Sequence, residues 1–280
     1  FAWQSGIFLL TCLALFFLAK LIFNLFNRKL KVGEELVDKD NTAFYVAYLC
    51  YFLGFIMIVG GIMNSEGSGD FWQEIYYTLI YGLIGIALLN IITVIMDKFV
   101  HRSLPLWDEV TDGKISIGVL KGGTYLSTGI IISGVMLTEV DKPLEAGIFL
   151  VFAMLIASIG FLYYNLTTPF NAKTEIYKGN TAVAISAAGA QVAFAILIYA
   201  GFQIEHSNWQ DSLMGIGIDV LGGIIILPLI RFVVDKAFIP KHRKITDEMV
   251  NQEVPNVGLG MFEASAYIGG ALLFIWCWNL

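Results

Sequence analysis

Charge is scarce in this chain. Asp, Glu, Lys and Arg make up 14% of its 280 residues, where a soluble domain carries about 25%, and 57% of residues are hydrophobic, at a mean hydropathy of +0.73. A soluble globule of this length would have to expose much of that apolar content, so the composition excludes one. Cysteine is scarcer still. Cys12, Cys50 and Cys277 are odd in number, far apart and inside apolar stretches, which excludes a disulfide framework and a zinc site and leaves packing roles. The net charge is −6 and no basic run is long enough to follow a phosphate backbone, which excludes nucleic acid as a partner. No nucleophile stands beside a base, and no metal-ligand spacing or phosphate-cradling glycine loop occurs. The chain therefore reads as non-enzymatic, with no metal and no cofactor.

Long apolar runs are what the chain has instead. A bilayer core takes roughly 20 apolar residues per helix, and eight segments qualify: about 5–27, 42–64, 72–97, 115–137, 145–167, 180–203, 211–235 and 256–279. The fold class expected is all-α, a polytopic integral membrane protein of eight transmembrane helices. Thirteen of the 17 basic residues fall in the odd-numbered connections, 28–40, 98–114, 168–179 and 236–254. By the positive-inside rule these connections are cytoplasmic and both termini lie on the outer side. Trp72, Trp209, Trp276 and Trp278 then fall at the outer interface, where indole rings settle.

The eight segments are two sets of four. Gly6-Ile7-Phe8-Leu9 recurs as Gly147-Ile148-Phe149-Leu150, Asn41-Thr42-Ala43 as Asn180-Thr181-Ala182, Trp72-Gln73-Glu74 as Trp209-Gln210-Asp211, and Asp97-Lys98 as Asp235-Lys236. Residues 1–140 thus form a first repeat and 141–280 a second. Four is even, so the repeats point the same way across the membrane and are related by an axis along its normal. After Gly179-Asn180-Thr181-Ala182 the sixth segment is almost all Ala, Ser and Gly up to Gln191, a face suited to close helix contact in lipid. The first repeat is the more divergent, with Lys39-Asp40 before Asn41 and bulky Phe44, Tyr45 and Tyr48 at the small-residue positions.

The stretch Glu175-Ile176-Tyr177-Lys178-Gly179-Asn180-Thr181-Ala182-Val183-Ala184-Ile185, in a four-helix unit occurring twice, resembles the bacterial membrane family known as domain of unknown function 350. The resemblance implies a bacterial cytoplasmic (inner) membrane location and a repeat architecture. It implies no activity.

Ionisable groups within a bilayer cost several kcal/mol unless paired or wetted, which makes each a candidate. Asp219 lies about two turns inside the outer end of the seventh segment. Arg231 lies near that segment's inner end, just past Pro228, which frees a carbonyl and kinks the helix. Glu263 in the eighth segment and Lys121 in the fourth stand at the height of Arg231, roughly 18 Å below Asp219 at 1.5 Å per residue. We therefore expect an Arg231–Glu263 ion pair within the second repeat, with a lipid-headgroup contact for Lys121 or Arg231 near the inner leaflet, and snorkelling for Lys20 and much of Lys121. Alignment sets Glu263 opposite Gly123 and Pro228 opposite Asn90, so buried charge is expected in the second repeat alone. His101 and His242, in equivalent basic connections, are expected to be solvated or to face lipid headgroups rather than to ligate a metal.

Two functions fit these features. One is a membrane scaffold or accessory subunit that packs through small-residue faces against further copies or other membrane proteins, with lipid as its surroundings. The other is a small-ion or proton channel or transporter whose path runs over Asp219, Gln191 and Glu263.

Overall fold

The computed structural model describes residues 2–28, 30–65, 69–102, 105–137, 143–202, 209–240 and 243–278. The chain runs α1 (Ala2–Phe26), a π-helical turn (Glu34–Asp38), α2 (Thr42–Asn64), α3 (Phe71–Phe99), α4 (Leu106–Thr111) and α5 (Ile115–Leu137). It continues through α6 (Pro143–Thr167), α7 (Ala172–Tyr177), α8 (Thr181–Phe202), α9 (Trp209–Phe238), α10 (Ile245–Val250) and α11 (Val257–Trp278). The order long, short, long, long, short, long therefore occurs twice. Each basic connection expected from the sequence contains a short helical turn.

The eight long helices coincide with the eight apolar segments to within a few residues. Seven are long and apolar enough to cross a bilayer by their described residues. The remaining one, α6, spans 25 residues, and several of its side chains lie outside the described residues. Trp72 and Trp276 are exposed near the ends opposite the basic connections, while the side chains of Trp209 and Trp278 lie outside the described residues. Cys277 is exposed rather than packed, since α11 leaves one face uncovered.

Four helices form the middle of the molecule as a row, α2–α5–α8–α11, with the seam between repeats at α5–α8. In lipid no hydrophobic effect drives helices together, so association depends on how closely backbones approach. Glycine permits that approach throughout the row. A Cβ built on Gly118 would stand 2.8 Å from the Ala43 carbonyl carbon, one on Gly129 2.6 Å from that of Gly54, one on Gly123 2.6 Å from the Ala188 Cβ, and one on Gly260 2.8 Å from the Ala182 carbonyl carbon. Contacts advance together along both members of each pair, Ala43 with Gly118 and Gly54 with Gly129, then Gly123 with Ala188 and Gly134 with Tyr199. All four helices of the row are thus parallel, and the repeats point the same way.

The row is shielded unevenly. Over their most apolar stretches α5 and α8 are 83% and 78% buried, against 22% for α1 and 28% for α9, so the seam between repeats is the core and the flanking helices face lipid. In the first repeat the bulky residues fill the interior. Phe23 meets Phe44, Tyr48, Tyr51, Trp107 and Tyr125 at ring separations of 4.9–6.4 Å.

Replacing Gly129 by Ala puts a methyl group into the Gly54 backbone, where no side chain can yield. Gly129→Ala is expected to destabilise by about 2–3 kcal/mol, a typical overpacking cost, read as a lower apparent melting temperature in detergent. Gly147→Ala, where nothing stands within 4 Å, is expected to be neutral or slightly stabilising.

Candidate functional site

The repeated motif Asn-Thr-Ala works as a clamp. Gly179 adopts φ +97°, a left-handed conformation open to glycine at no steric cost, and its counterpart Asp40 takes φ +47°, a region that a short polar side chain tolerates. Each turn delivers an asparagine to a helix start. Asn41 Oδ1 accepts from Phe44 N at 3.1 Å and Asn180 Oδ1 from Val183 N at 3.1 Å. The amide nitrogens then donate across to the ends of the short helices, Asn41 Nδ2 to Val110 O and Asn180 Nδ2 to Met249 O, both at 2.8 Å. The alanines that follow, Ala43 and Ala182, are the residues on which Gly118 and Gly260 rest. Thr42 is exposed, and Thr181 half-buried with its hydroxyl turned to the Gly179 carbonyl at 3.5 Å. The motif joins short helix, helix start and helix crossing in one place, and its residues build the fold rather than a binding pocket.

In the second repeat the expected ion pair is present. Arg231 Nε stands 2.9 Å from Glu263 Oε1, with the Glu263 side chain 1% exposed. Tyr267, one turn along α11, donates to Glu263 Oε1 at 3.2 Å, and Ser186 of α8 donates to Oε2 at 2.6 Å. Arg231 Nη2 also reaches Thr246 Oγ1 of α10 at 3.4 Å. Pro228 lies inside α9 and cannot donate to the carbonyl four residues back, that of Ile224; Tyr163 of α6 donates to this carbonyl instead, at 2.7 Å.

The first repeat corrects the expectation that it lacks buried charge. Lys121 is 1% exposed and forms an ion pair with Asp97, its ammonium 4.9 Å from the Tyr125 ring centroid and 5.2 Å from that of Trp107. It neither snorkels nor reaches a headgroup, because α3 supplies a carboxylate at its own depth. The packing also corrects the alignment. Gly118 occupies on Ala43 the place that Gly260 occupies on Ala182, so Lys121 corresponds to Glu263 and Tyr125 to Tyr267. Each repeat thus holds a buried charge on its fourth long helix, a tyrosine one turn on, and a partner on its third. The sign is inverted between repeats: Lys121 with Asp97, Glu263 with Arg231. Arg231, too, is turned inward, its side chain 14% exposed, rather than to a lipid headgroup.

The remaining candidates are not gathered at one place. Gln191 is 3% exposed with both amide atoms unpaired. It faces Gly123 of α5 and Gly160 of α6, whereas Gly189, two positions earlier on α8, faces Ala264 of α11. Successive helical positions turn by about 100°, so Gln191 looks away from the helix that carries Glu263. Asp219 is 5% exposed on α9, three turns above Arg231.

His101, expected to be solvated, is fully buried. The connection after α3 folds back beneath the helices, where the His101 ring meets Phe161 edge-on at 4.8 Å and its Nε2 lies 3.3 Å from Thr124 Oγ1. Lys173 of α7 donates to Val100 O at 2.7 Å, tying the second repeat to the connection after α3. Nothing in the sequence distinguished His101 from a surface histidine, because its neighbours come from α5 and α6. His242 lies outside the described residues.

Burial, reinforced by the Lys121 and Lys173 cations, pushes the His101 imidazole down from 6.5 to about 3. Protonation is therefore confined to the unfolded chain between those values. Stability is full above pH 6.5 and falls as pH drops toward 3, by about 1.4 kcal/mol per pH unit. His101→Leu is expected to flatten the fall in apparent melting temperature between pH 7 and 4.5 relative to wild type. For the ion pair, Glu263→Ala leaves the Arg231 charge buried and is expected to cost about 3–5 kcal/mol, while Arg231→Met with Glu263→Leu restores most of that loss. Thermal unfolding of wild type and the two variants checks the order.

The arrangement of two equivalent units agrees with the similarities of the sequence. The family described as Domain of Unknown Function (DUF350) matches residues 2–136 and again residues 139–278. A "UPF0719 transmembrane protein" of Aquifex aeolicus (strain VF5) is 23% identical over 191 residues, covering 67% of this chain and 69% of the relative. No solved structure matches. With the family pattern present in both halves and together spanning almost the whole chain, the protein is a tandem-repeat membrane protein of the DUF350 family.

Proposed function

We propose that the protein is a non-enzymatic scaffold or accessory subunit of a bacterial cytoplasmic-membrane complex. In this reading both termini lie on the outer side and the basic connections face the cytoplasm, in line with the distribution of Lys and Arg. The observation that carries the proposal is the closure of the Glu263 carboxylate. Oε1 is held by Arg231 and Tyr267 and Oε2 by Ser186, so the group acts as a joint between α8, α9 and α11 and offers no free oxygen to a passing ion. The glycine-mediated contacts along the row support the same role, for they leave no lumen between the helices they join. Exposed apolar side chains on α1, α2, α9 and α11 supply lateral surface for lipid, further copies or membrane partners.

A second reading, a proton or small-ion path, draws on the buried polar atoms that lack partners, namely both amide atoms of Gln191, Arg231 Nη1 and the Tyr164 hydroxyl. Flux measurements on reconstituted liposomes separate the two. The scaffold reading expects wild type, Glu263→Gln and Asp219→Asn all to match empty liposomes for protons, Na⁺ and K⁺. Conduction by wild type that both substitutions abolish, with the protein still folded, would establish the path instead.

A further inference from the structure

The repeats differ most where α1 ends. In the second repeat Asn165 of α6 accepts from Ala172 N at 2.8 Å, pinning α7 against the helix that precedes it. The equivalent residue of the first repeat is Asn24, and its Oδ1 is buried without a hydrogen-bond partner. The segment that would have met it has moved away. In place of α7 stands the π-helical turn Glu34–Asp38, with Lys39 N bonded to Glu34 O and Asn41 N to Glu35 O, six residues back. The corresponding bond in the second repeat, Asn180 N to Glu175 O, spans five. One additional residue has been taken up as a π turn, a feature often found at functional sites.

The displacement leaves a groove of about 860 Å³ between α1, α2 and the π turn. Lys20, Asn24 and Arg28 line it at intervals of four residues along one face of α1 and the turn that follows. Lys31 joins them at the mouth, where it also pairs with Glu34 at 3.1 Å. No acidic residue lines the groove, and among the described residues neither Lys20 nor Arg28 has a carboxylate partner. The rest of the lining is mostly apolar. Phe16 and Phe52 stack at 4.2 Å, and the π turn adds Val37, which is 79% exposed. The second repeat has Phe161 and Pro169 at the places of Lys20 and Arg28, so the basic groove belongs to the first repeat only.

We propose that this groove is a binding site for an anionic phospholipid of the adjoining leaflet. The phosphate sits between Lys20 and Arg28, and an acyl chain lies along Phe16 and Phe52. Two cations beside a stacked aromatic pair suit an amphiphile with a negative head. A soluble anion would leave the aromatic pair uncovered, and a zwitterionic lipid would leave the cations uncompensated.

The test uses the full chain, purified in mild detergent and titrated with phosphatidylglycerol or phosphatidylcholine, with bound lipid counted by native mass spectrometry. Wild type is expected to retain one phosphatidylglycerol in preference to phosphatidylcholine. Lys20→Gln with Arg28→Gln is expected to weaken that retention by about tenfold or more, as is the isosteric Asn24→Asp, which adds a negative charge without altering shape. Arg243→Gln with Lys244→Gln removes the same charge from another basic connection and is expected to leave retention unchanged. Equal loss in the two double variants, equal retention of both lipids, or displacement of the lipid by millimolar inorganic phosphate overturns the proposal.

Discussion

The close parallel contact of α2, α5, α8 and α11 is the constraint on which the rest of the structure depends. Lipid surrounds the protein with a medium as apolar as its own side chains, so burial alone cannot hold helices together. What remains is dispersion at short range, and that requires backbones to touch. Gly54 against Gly129, Gly118 against Ala43, Gly123 against Ala188 and Gly260 against Ala182 provide these contacts. The same pairing occurs within each repeat and a related one between them, so the seam α5–α8 is built like the interiors it joins.

Buried charge is placed where the row can enclose it. Lys121 and Glu263 occupy corresponding positions on the fourth long helix of each repeat, and each is matched by an opposite charge on the third, Asp97 or Arg231. Each of these charges needs such a partner, since a lone buried charge is far costlier than a pair. The partners stand at different positions of that helix, for Asp97 aligns with Asp235 rather than with Arg231. The surroundings of Lys121 and Glu263 differ with their sign: aromatic faces of Tyr125 and Trp107 attend the Lys121 cation, while the hydroxyls of Ser186 and Tyr267 attend the Glu263 carboxylate. A ring face attracts a cation and a hydroxyl donates to an anion.

Divergence between the repeats is concentrated on the side of the basic connections. In the second repeat α7 is pinned by Asn165 and reaches the first through Lys173. In the first, the π turn stands off from Asn24 and opens a groove. The two like units thus differ at this side, one closed by α7 and the other open as a groove.

Much of this was legible in the sequence. Apolar runs of bilayer length, their division into two sets, the clamp motif and the Arg231–Glu263 pair follow from hydrophobicity, recurrence and helical rise, which are properties of the chain taken locally. The Lys121–Asp97 pair, the burial of His101, the inward face of Gln191 and the unpaired Asn24 were not legible, because each depends on which side of a helix meets which neighbour. Helix–helix register in lipid is set by backbone approach at particular glycines, and a shift of one or two residues moves a side chain to another face. The chain by itself determined that there would be two membrane-embedded four-helix units; only the tertiary packing decided which charges meet, because that depends on the rotation of each helix about its own axis.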